Sequence, residues 1–187
     1  MFIQTESTPN PATLKFLPGR AVMGESAVAD FPTREAATRS QLAAALFGVP
    51  GVARVFFGSD FISVTKGDGD WRQLKPSILA AIMEHFTHGL PLIDANAEET
   101  EEAPGFSEAD SDIVDQIKEL LDTRVRPAVA NDGGDIVFKS FDSESGVVFL
   151  HMRGSCAGCP SSTMTLKNGI ENMLRHYIPE VSAVEAV

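Results

Sequence analysis

Residues 153–162, with the sequence RGSCAGCPSS, contain both cysteines of this 187-residue chain. Cys156 and Cys159 are separated by two residues, so both thiols can reach one small ligand. The glycines of the segment permit positive φ angles and keep side chains away from that ligand. Pro160 suits the first turn of a helix, whose positive end would favour the thiolate form of both cysteines. Because thiolate is the form that binds soft metals, the segment predicts a metal or redox site.

The number of available ligands limits what this segment can hold. An iron–sulfur cluster usually takes four thiolates and structural zinc takes four ligands, whereas one chain supplies Cys156 and Cys159. His151 fits an ordinary position in an alternating strand and His176 fits the end of a long helix, so neither is expected to complete the set. Pairing two chains about a twofold axis gives four thiolates, and we expect such a homodimer to share one [4Fe-4S] cluster. Since another protein's thiolates can reach a cluster between subunits, this arrangement favours temporary holding and delivery.

Other interpretations of the cysteine pair stay open. A thioredoxin-like dithiol also lies between a strand and a helix, but this pair follows a hairpin late in a small domain. A structural zinc site bridging two chains would be colourless, whereas a cluster gives a brown protein. The two cysteines could also be inert. The nearby sequence DGGD at 132–135 is more typical of a tight turn before a strand than of a cation site.

Composition argues against several classes of partner. The net charge of −11 at pH 7 argues against nucleic acid, whose phosphate backbone is also negative. No apolar stretch approaches the ~20 residues needed to span a bilayer, so no membrane partner is expected. Residues 1–6 lack the basic and apolar regions of a signal peptide. Together with a close cysteine pair, which is typical of reducing compartments, these features predict a cytoplasmic location.

The distribution of charge divides the chain. Residues 94–109 carry six acidic and no basic side chains and few large apolar ones, which is typical of an extended linker. The sequence therefore predicts a first domain at 1–93, an acidic flexible linker at 94–109 and a second domain at 110–187. Both domains mix strand and helix patterns, so the expected fold class is α+β, with two small domains.

The first domain has the pattern of strands followed by helices. Strands are predicted at 1–6 and 13–16, a helix at 33–47, a hairpin formed by 52–57 and 61–65, and a helix that begins between 71 and 76. It has no obvious ligand set. We consider two roles for this domain, either as a docking module for other proteins or as a cap over the cluster.

The second domain starts at a possible capping box, residues 107–110. The apolar face of the helix that follows is predicted to end at Arg126-Pro127, because proline interrupts helical hydrogen bonds. The remaining predicted elements are a turn at 131–135, a hairpin formed by 136–141 and 147–152, a helix at 160–177 and a strand at 181–187. In that order, the cysteines lie in the connection between the hairpin and the last long helix.

Several segments resemble a known family. The second domain resembles the C-terminal domain of the NifU family, and the first resembles the N-terminal domain of its Nfu-type members. The segments that carry the resemblance are GDIV at 134–137, GSCAGCPSS at 154–162, TLKNGIE at 165–171, QTESTPNP at 4–11, LKF at 14–16 and FISVT at 61–65. The resemblance covers nearly the whole chain except the linker.

This resemblance implies a late-acting iron–sulfur cluster carrier and not an enzyme. Such a protein would receive a [4Fe-4S] cluster from an upstream donor and pass it to apo-proteins such as dehydratases or radical enzymes. Cys156 and Cys159 match the positions of the family's cluster ligands. The expected partners are therefore cluster donors, apo-protein clients and a second copy of the chain.

Overall fold

The computed structural model describes residues 1–25, 27–95, 107–157 and 160–187. Contacts between Cα atoms divide the chain into two compact units, Met1–Glu99 and Thr100–Val187. Each unit combines helices with one sheet, so the predicted α+β class is confirmed. The predicted domain boundaries stay a prediction, and residues 96–106 of the predicted linker lie outside the described residues. Within the described part of the chain, no helix has both the length and the apolar character that a membrane span requires.

The first unit contains a five-stranded antiparallel sheet with the order β1-β2-β5-β4-β3. Its strands are β1 (Gln4–Ser7), β2 (Thr13–Leu17), β3 (Ala29–Phe31), β4 (Val52–Phe57) and β5 (Ile62–Lys66). The predicted hairpin is confirmed, because Phe57 pairs with Ile62 across the turn between β4 and β5. Strand β3 was not expected, since three residues are too few to show alternation.

The helices of the first unit begin at side-chain caps. The predicted single helix at 33–47 is wrong: a 3₁₀ turn at Ala36–Arg39 precedes helix α1 (Gln41–Phe47). Ser40 interrupts them in an extended conformation, and its Oγ accepts a hydrogen bond of 3.2 Å from the backbone N–H of Ala43. Helix α2 (Trp71–His88) begins where predicted, after Asp70, which accepts from the N–H of Arg72.

One hydrophobic core fills the first unit. Alternate strand residues on one face of the sheet pack against the buried sides of α1 and α2. The largest contributors are Phe16, Phe31, Phe57, Ile62, Leu42, Leu46, Ile78 and Ile82. The apolar spacing predicted for α2 therefore marks its buried face.

The second unit opens with a long, irregular helical segment. A 3₁₀ turn at Glu108–Asp110 leads into α3 (Ser111–Leu120), a π-helical turn at Leu121–Val125 and α4 (Arg126–Asn131). The predicted end at Arg126-Pro127 is wrong. Proline cannot donate to the carbonyl four residues before it, and the wider π turn accommodates this, with the Arg126 N–H bonded to the Leu121 carbonyl.

A three-stranded sheet completes the second unit. Strands β6 (Gly134–Asp142) and β7 (Val147–Gly154) form the predicted antiparallel hairpin, and β8 (Ala183–Ala186) lies parallel to β7. A parallel return needs a crossover, which α5 (Pro160–Tyr177) provides with the bounds that the sequence predicts. The buried residues Ile170, Leu174 and Ile178 lie along α5. The cysteine segment is therefore the connection between β7 and α5, held by the packing of both.

Replacing Ser40 by Ala should lower the free energy of unfolding of the first unit by about 1 kcal/mol, because the Ala43 N–H loses its acceptor. Trp71 is the only tryptophan of the chain and lies in this unit, so its fluorescence during urea unfolding reports on the unit. Ser77→Ala, at an exposed position of α2, is the matched control and should change stability by less than about 0.5 kcal/mol. Equal unfolding midpoints for Ser40→Ala and the unsubstituted chain would contradict the capping role.

Candidate metal centre

Cys156 lies in a tight turn directly after β7. Gly154 has a φ of 65°, which agrees with the prediction that the glycines of this segment permit positive φ angles. Its carbonyl accepts a hydrogen bond of 3.2 Å from the Ala157 N–H. The hydroxyl of Thr163, in the first turn of α5, donates to the carbonyl of Cys156 over 2.8 Å. The turn is therefore attached to both elements that flank it. Cys159 lies outside the described residues, so its pairing with Cys156 stays a prediction.

The side chain of Cys156 points into the core and not into solvent. It is 6% exposed and belongs to the hydrophobic core of the second unit. A Cβ atom added to Gly134 would lie 2.7 Å from the Cys156 Sγ and 2.7 Å from the Arg153 carbonyl oxygen. No side chain fits at those distances, so the first residue of β6 must be glycine for the thiol to occupy this place.

The predicted tight turn is formed by Asp132 and Gly133, whereas Gly134 and Asp135 are already the first residues of β6. The N–H groups of Asp132 and Gly133 donate to the carbonyls of Val129 and Ala130, both over 3.0 Å. The turn also holds the cysteine segment, because the Ser155 N–H donates to the Gly133 carbonyl over 3.2 Å. The Ser155 hydroxyl also donates to the Asp132 carbonyl. Sequence reasoning missed this second role, since the partners are more than 20 residues apart in the chain.

A buried ion pair lies beside this turn. Arg126 Nε and Nη2 donate to the two carboxylate oxygens of Asp135 over 2.8 and 3.0 Å, and the Asp135 side chain is 4% exposed. Arg126 Nη1 also donates to the exposed Asp122 over 3.2 Å. The hydrogen bonds that Arg126 donates to Asp135 raise the pKa of Arg126 above its ordinary value. Sequence reasoning missed this pair, because Arg126 was expected to end a helix.

The pKa of the Cys156 thiol differs from the expected direction. The helix end was expected to lower it, whereas burial raises it from 9.0 to about 11. The hydrogen bond with Ser155 lowers the pKa, and the negative charges of Asp132 and Asp135 raise it. Burial dominates because the core solvates a charged thiolate poorly. Without a metal, the thiol therefore stays protonated at neutral pH.

The other candidate side chains have ordinary partners. His151 Nδ1 lies 3.0 Å from the Val187 carbonyl oxygen, in the strand position that the sequence predicts. Lys167 Nζ donates to Glu185 over 3.0 Å, which agrees with a surface lysine. Among the described residues, no group of three or more His, Cys, Asp and Glu side chains could hold a metal ion.

Two family models match this sequence. The model described as "Scaffold protein Nfu/NifU N terminal" matches residues 3–89, and the "NifU-like domain" model matches residues 117–185. The first match falls within the unit that contains α1 and α2, and the second falls within the unit that contains Cys156. The resemblance expected from the short sequence segments is thus confirmed over both units.

Curated relatives match over the full length of the chain. It is 56% identical over 189 residues to the "NFU1 iron-sulfur cluster scaffold homolog, mitochondrial" of Homo sapiens, covering 100% of this chain and 72% of that protein. It is 55% identical over 187 residues to "NifU-like protein 4, mitochondrial" of Arabidopsis thaliana, covering 99% of this chain and 65% of that protein. The Drosophila willistoni counterpart of the human protein is 54% identical, with 100% and 64% covered. The chain thus spans about two thirds of the length of the plant and fly relatives.

The names of these relatives bear on two predictions. They describe scaffold and NifU-like proteins, which is consistent with the prediction that the chain is not an enzyme. They also place the relatives in mitochondria, so the predicted cytoplasmic location is wrong. A close cysteine pair indicates a reducing environment, and that property does not distinguish the cytoplasm from other reducing compartments.

Replacing Gly134 by Ala should destabilise the second unit by about 1–3 kcal/mol, because the new methyl group overlaps the Cys156 Sγ and the Arg153 carbonyl. Hydrogen–deuterium exchange of peptides from β6 and β7 measures the effect in this unit. Gly169→Ala in α5 is the matched control, since no atom lies within 4 Å of the added Cβ and helix propensity favours alanine by up to about 1 kcal/mol. Exchange as slow in Gly134→Ala as in the control would show that the close approach is not required.

Alkylation of Cys156 should be slow at neutral pH, and its rate should rise with pH until the pH exceeds the thiol's pKa of about 11. At pH 8 about one thiol in a thousand is then ionised, and only the thiolate reacts. The measurement is the rate of iodoacetamide labelling against pH in a Cys159→Ser chain without metal. The same variant in concentrated urea should titrate near the ordinary 9.0. A midpoint below 9 in the folded chain would refute the dominance of burial.

Proposed function

This chain belongs to the NifU family and carries its Nfu-type N-terminal domain, and from that premise we propose that it holds an iron–sulfur cluster and delivers it to other proteins. In this proposal Cys156 and Cys159 of two copies bind one [4Fe-4S] cluster. The single observation that carries it is the incomplete ligand set: the sequence has two cysteines, and a cluster usually takes four thiolates. The names of the human and fly relatives, which describe an iron-sulfur cluster scaffold, support the choice of an iron–sulfur cluster as the bound group.

The environment of Cys156 does not suit a redox dithiol. A dithiol oxidoreductase needs a thiolate near neutral pH, whereas burial raises the pKa of Cys156 to about 11. A metal ion can displace the proton and neutralise the thiolate, so burial then no longer opposes the charged sulfur. Because residue 134 is glycine, there is room for the Cys156 sulfur, and residue 134 places no side chain between that sulfur and β6. These features favour the cluster interpretation over the thioredoxin-like one.

Sharing the cluster between two copies explains delivery. Each copy supplies two of the four thiolates, so loss of one copy's contacts leaves a half-coordinated cluster open to a client's cysteines. The proposed partners are therefore an upstream cluster donor, apo-protein clients and a second copy of this chain. In this sequence of events iron–thiolate bonds to the carrier are exchanged for iron–thiolate bonds to the client, and the cluster is passed on unchanged, so the proposed function is that of a carrier and not of an enzyme.

We assign the two roles of the proposal to two domains. Residues 110–187 hold the cluster, residues 1–93 form the separate N-terminal domain, and the acidic residues 94–109 link them. The six carboxylates of residues 94–109 repel one another, which is the composition expected of a linker. The N-terminal domain contains no cysteine, so it takes no part in thiolate ligation of the cluster.

Anaerobic reconstitution of the whole chain with ferrous iron and sulfide should give about two irons per chain and a dimer by native mass measurement, as expected for four irons shared by two copies. Cys156→Ser and Cys159→Ser should each abolish the cluster absorbance. Ala157→Ser, which changes the segment between the two cysteines and keeps both thiols, is the matched control and should load normally. A fully loaded monomer, or an unloaded chain in every condition, would overturn the proposal.

A further inference from the structure

The geometry points to Ser155 and Thr163 as positioning residues for the proposed ligand Cys156. Their hydroxyl groups hold the backbone on both sides of the cysteine in the chain without metal, so the sulfur is already in place when a cluster is received. Both residues act through Cys156. This inference rests on the proposed function, because it concerns how one of the proposed thiolate ligands is kept ready.

Ser155 attaches the residue before Cys156 to the turn that precedes β6. Its backbone N–H donates to the Gly133 carbonyl over 3.2 Å, and its hydroxyl donates to the Asp132 carbonyl. Ser155 is 2% exposed, so water has little access to replace these bonds. A movement of Cys156 away from β6 would therefore have to break hydrogen bonds of Ser155 in a place that water hardly reaches.

Thr163 attaches Cys156 itself to α5. Its hydroxyl donates to the Cys156 carbonyl over 2.8 Å from the first turn of the helix. The helix is fixed in turn by Ile170 and Leu174, which are buried in the core of the second unit. The bond from Thr163 thus ties the backbone of the ligand to a packed helix and not to another loop.

The other contacts of the cysteine turn show what the two hydroxyl groups add. The bond from the Ala157 N–H to the Gly154 carbonyl closes the turn but does not attach it to another element. The backbone of Gly134 lies so close that an added Cβ atom would be 2.7 Å from the Cys156 Sγ and 3.2 Å from its backbone nitrogen. That contact limits how near the sulfur can come to the strand. The hydroxyl bonds supply the directional attachment on both sides.

A carrier needs a ligand that stays ordered without its cargo. In the proposed dimer, each copy must receive, hold and release a cluster in every cycle. If the cysteine turn were mobile when empty, each loading event would have to order it again, and the lost conformational entropy would weaken binding. With both hydroxyl bonds in place, that ordering occurs when the chain folds.

The experiment compares S155A, S155T, T163V and T163S with the unsubstituted chain. S155A and T163V each remove one hydroxyl group, whereas S155T and T163S keep it. S145A is the matched control, because it removes a serine hydroxyl that donates to Asp142 over 2.7 Å at the other end of the same hairpin. The measurements are hydrogen–deuterium exchange of the chain without metal and, after anaerobic reconstitution with ferrous iron and sulfide, the rate at which a ferrous chelator removes the cluster.

S155A and T163V should each lose the cluster about tenfold faster, the lower end of the effect typical of lost supporting partners of a metal ligand. In the same variants without metal, peptides containing residues 155–157 should exchange faster, while β6 and β7 keep their protection. S155T, T163S and S145A should stay within about threefold of the unsubstituted chain in both measurements, well inside that effect.

Equal rates of cluster loss in S155A and the unsubstituted chain would overturn the role of Ser155, and equal rates in T163V and T163S would overturn that of Thr163. Faster exchange throughout β6 and β7 would show a general loss of structure and would overturn positioning as the cause. If S155A does not fold, as circular dichroism would show, the comparison of T163V with T163S decides. An unsubstituted chain that takes up no cluster would overturn the proposed function itself, whereas a loaded chain without these differences overturns only the positioning role.

Discussion

The close contact between the Cys156 sulfur and the backbone of Gly134 is the constraint on which the second unit depends. It joins the start of β6 to the turn after β7, two points that the antiparallel register already places opposite each other, Gly134 against Gly154. Because the contact leaves no room for a Cβ atom, position 134 requires glycine, and the Cys156 sulfur lies directly against its backbone. The turn at Asp132 and Gly133 and the first turn of α5 are both hydrogen-bonded to the cysteine segment beside this contact. A small shift there would move the sulfur of Cys156.

In the proposed function, burial of the Cys156 sulfur has a consequence for how metal uptake proceeds. A thiol held in an apolar core keeps its proton, so the chain without metal carries a neutral and poorly reactive Cys156. Binding a metal must release that proton, and the affinity for metal therefore rises with pH until the thiol ionises on its own. The same burial protects the thiol against oxidation while it is unloaded, because oxidants attack the thiolate. In the proposed function, the same buried environment makes the Cys156 thiol poorly reactive before loading and then surrounds the sulfur once it binds the metal.

Local sequence patterns predicted much of this fold, and contacts distant in sequence account for what they missed. Alternation and helical spacing identified the β6–β7 hairpin and α5, because each element shows several periods of its pattern. They could not identify Ser40 as a cap inside an alanine-rich stretch, where helix propensity is high on both sides. They also could not reveal the Arg126–Asp135 pair, which exists only because a π turn carries the helix past Pro127. The cysteine spacing identified the candidate site. The residues that pack against the Cys156 sulfur and shift its pKa are distant from it in sequence and are brought together by folding.

A buried ion pair does not by itself mark a functional site. The first unit has one too, between Arg54 and Asp30, and there it joins the short edge strand β3 to β4. Such pairs are weak contributors to stability, since desolvation of two charges offsets much of their attraction. The Arg126–Asp135 pair has a similar structural role, because it joins the helical segment that ends in α4 to the start of β6. In such a role, a well-packed pair of hydrophobic residues of similar volume could replace the two charges.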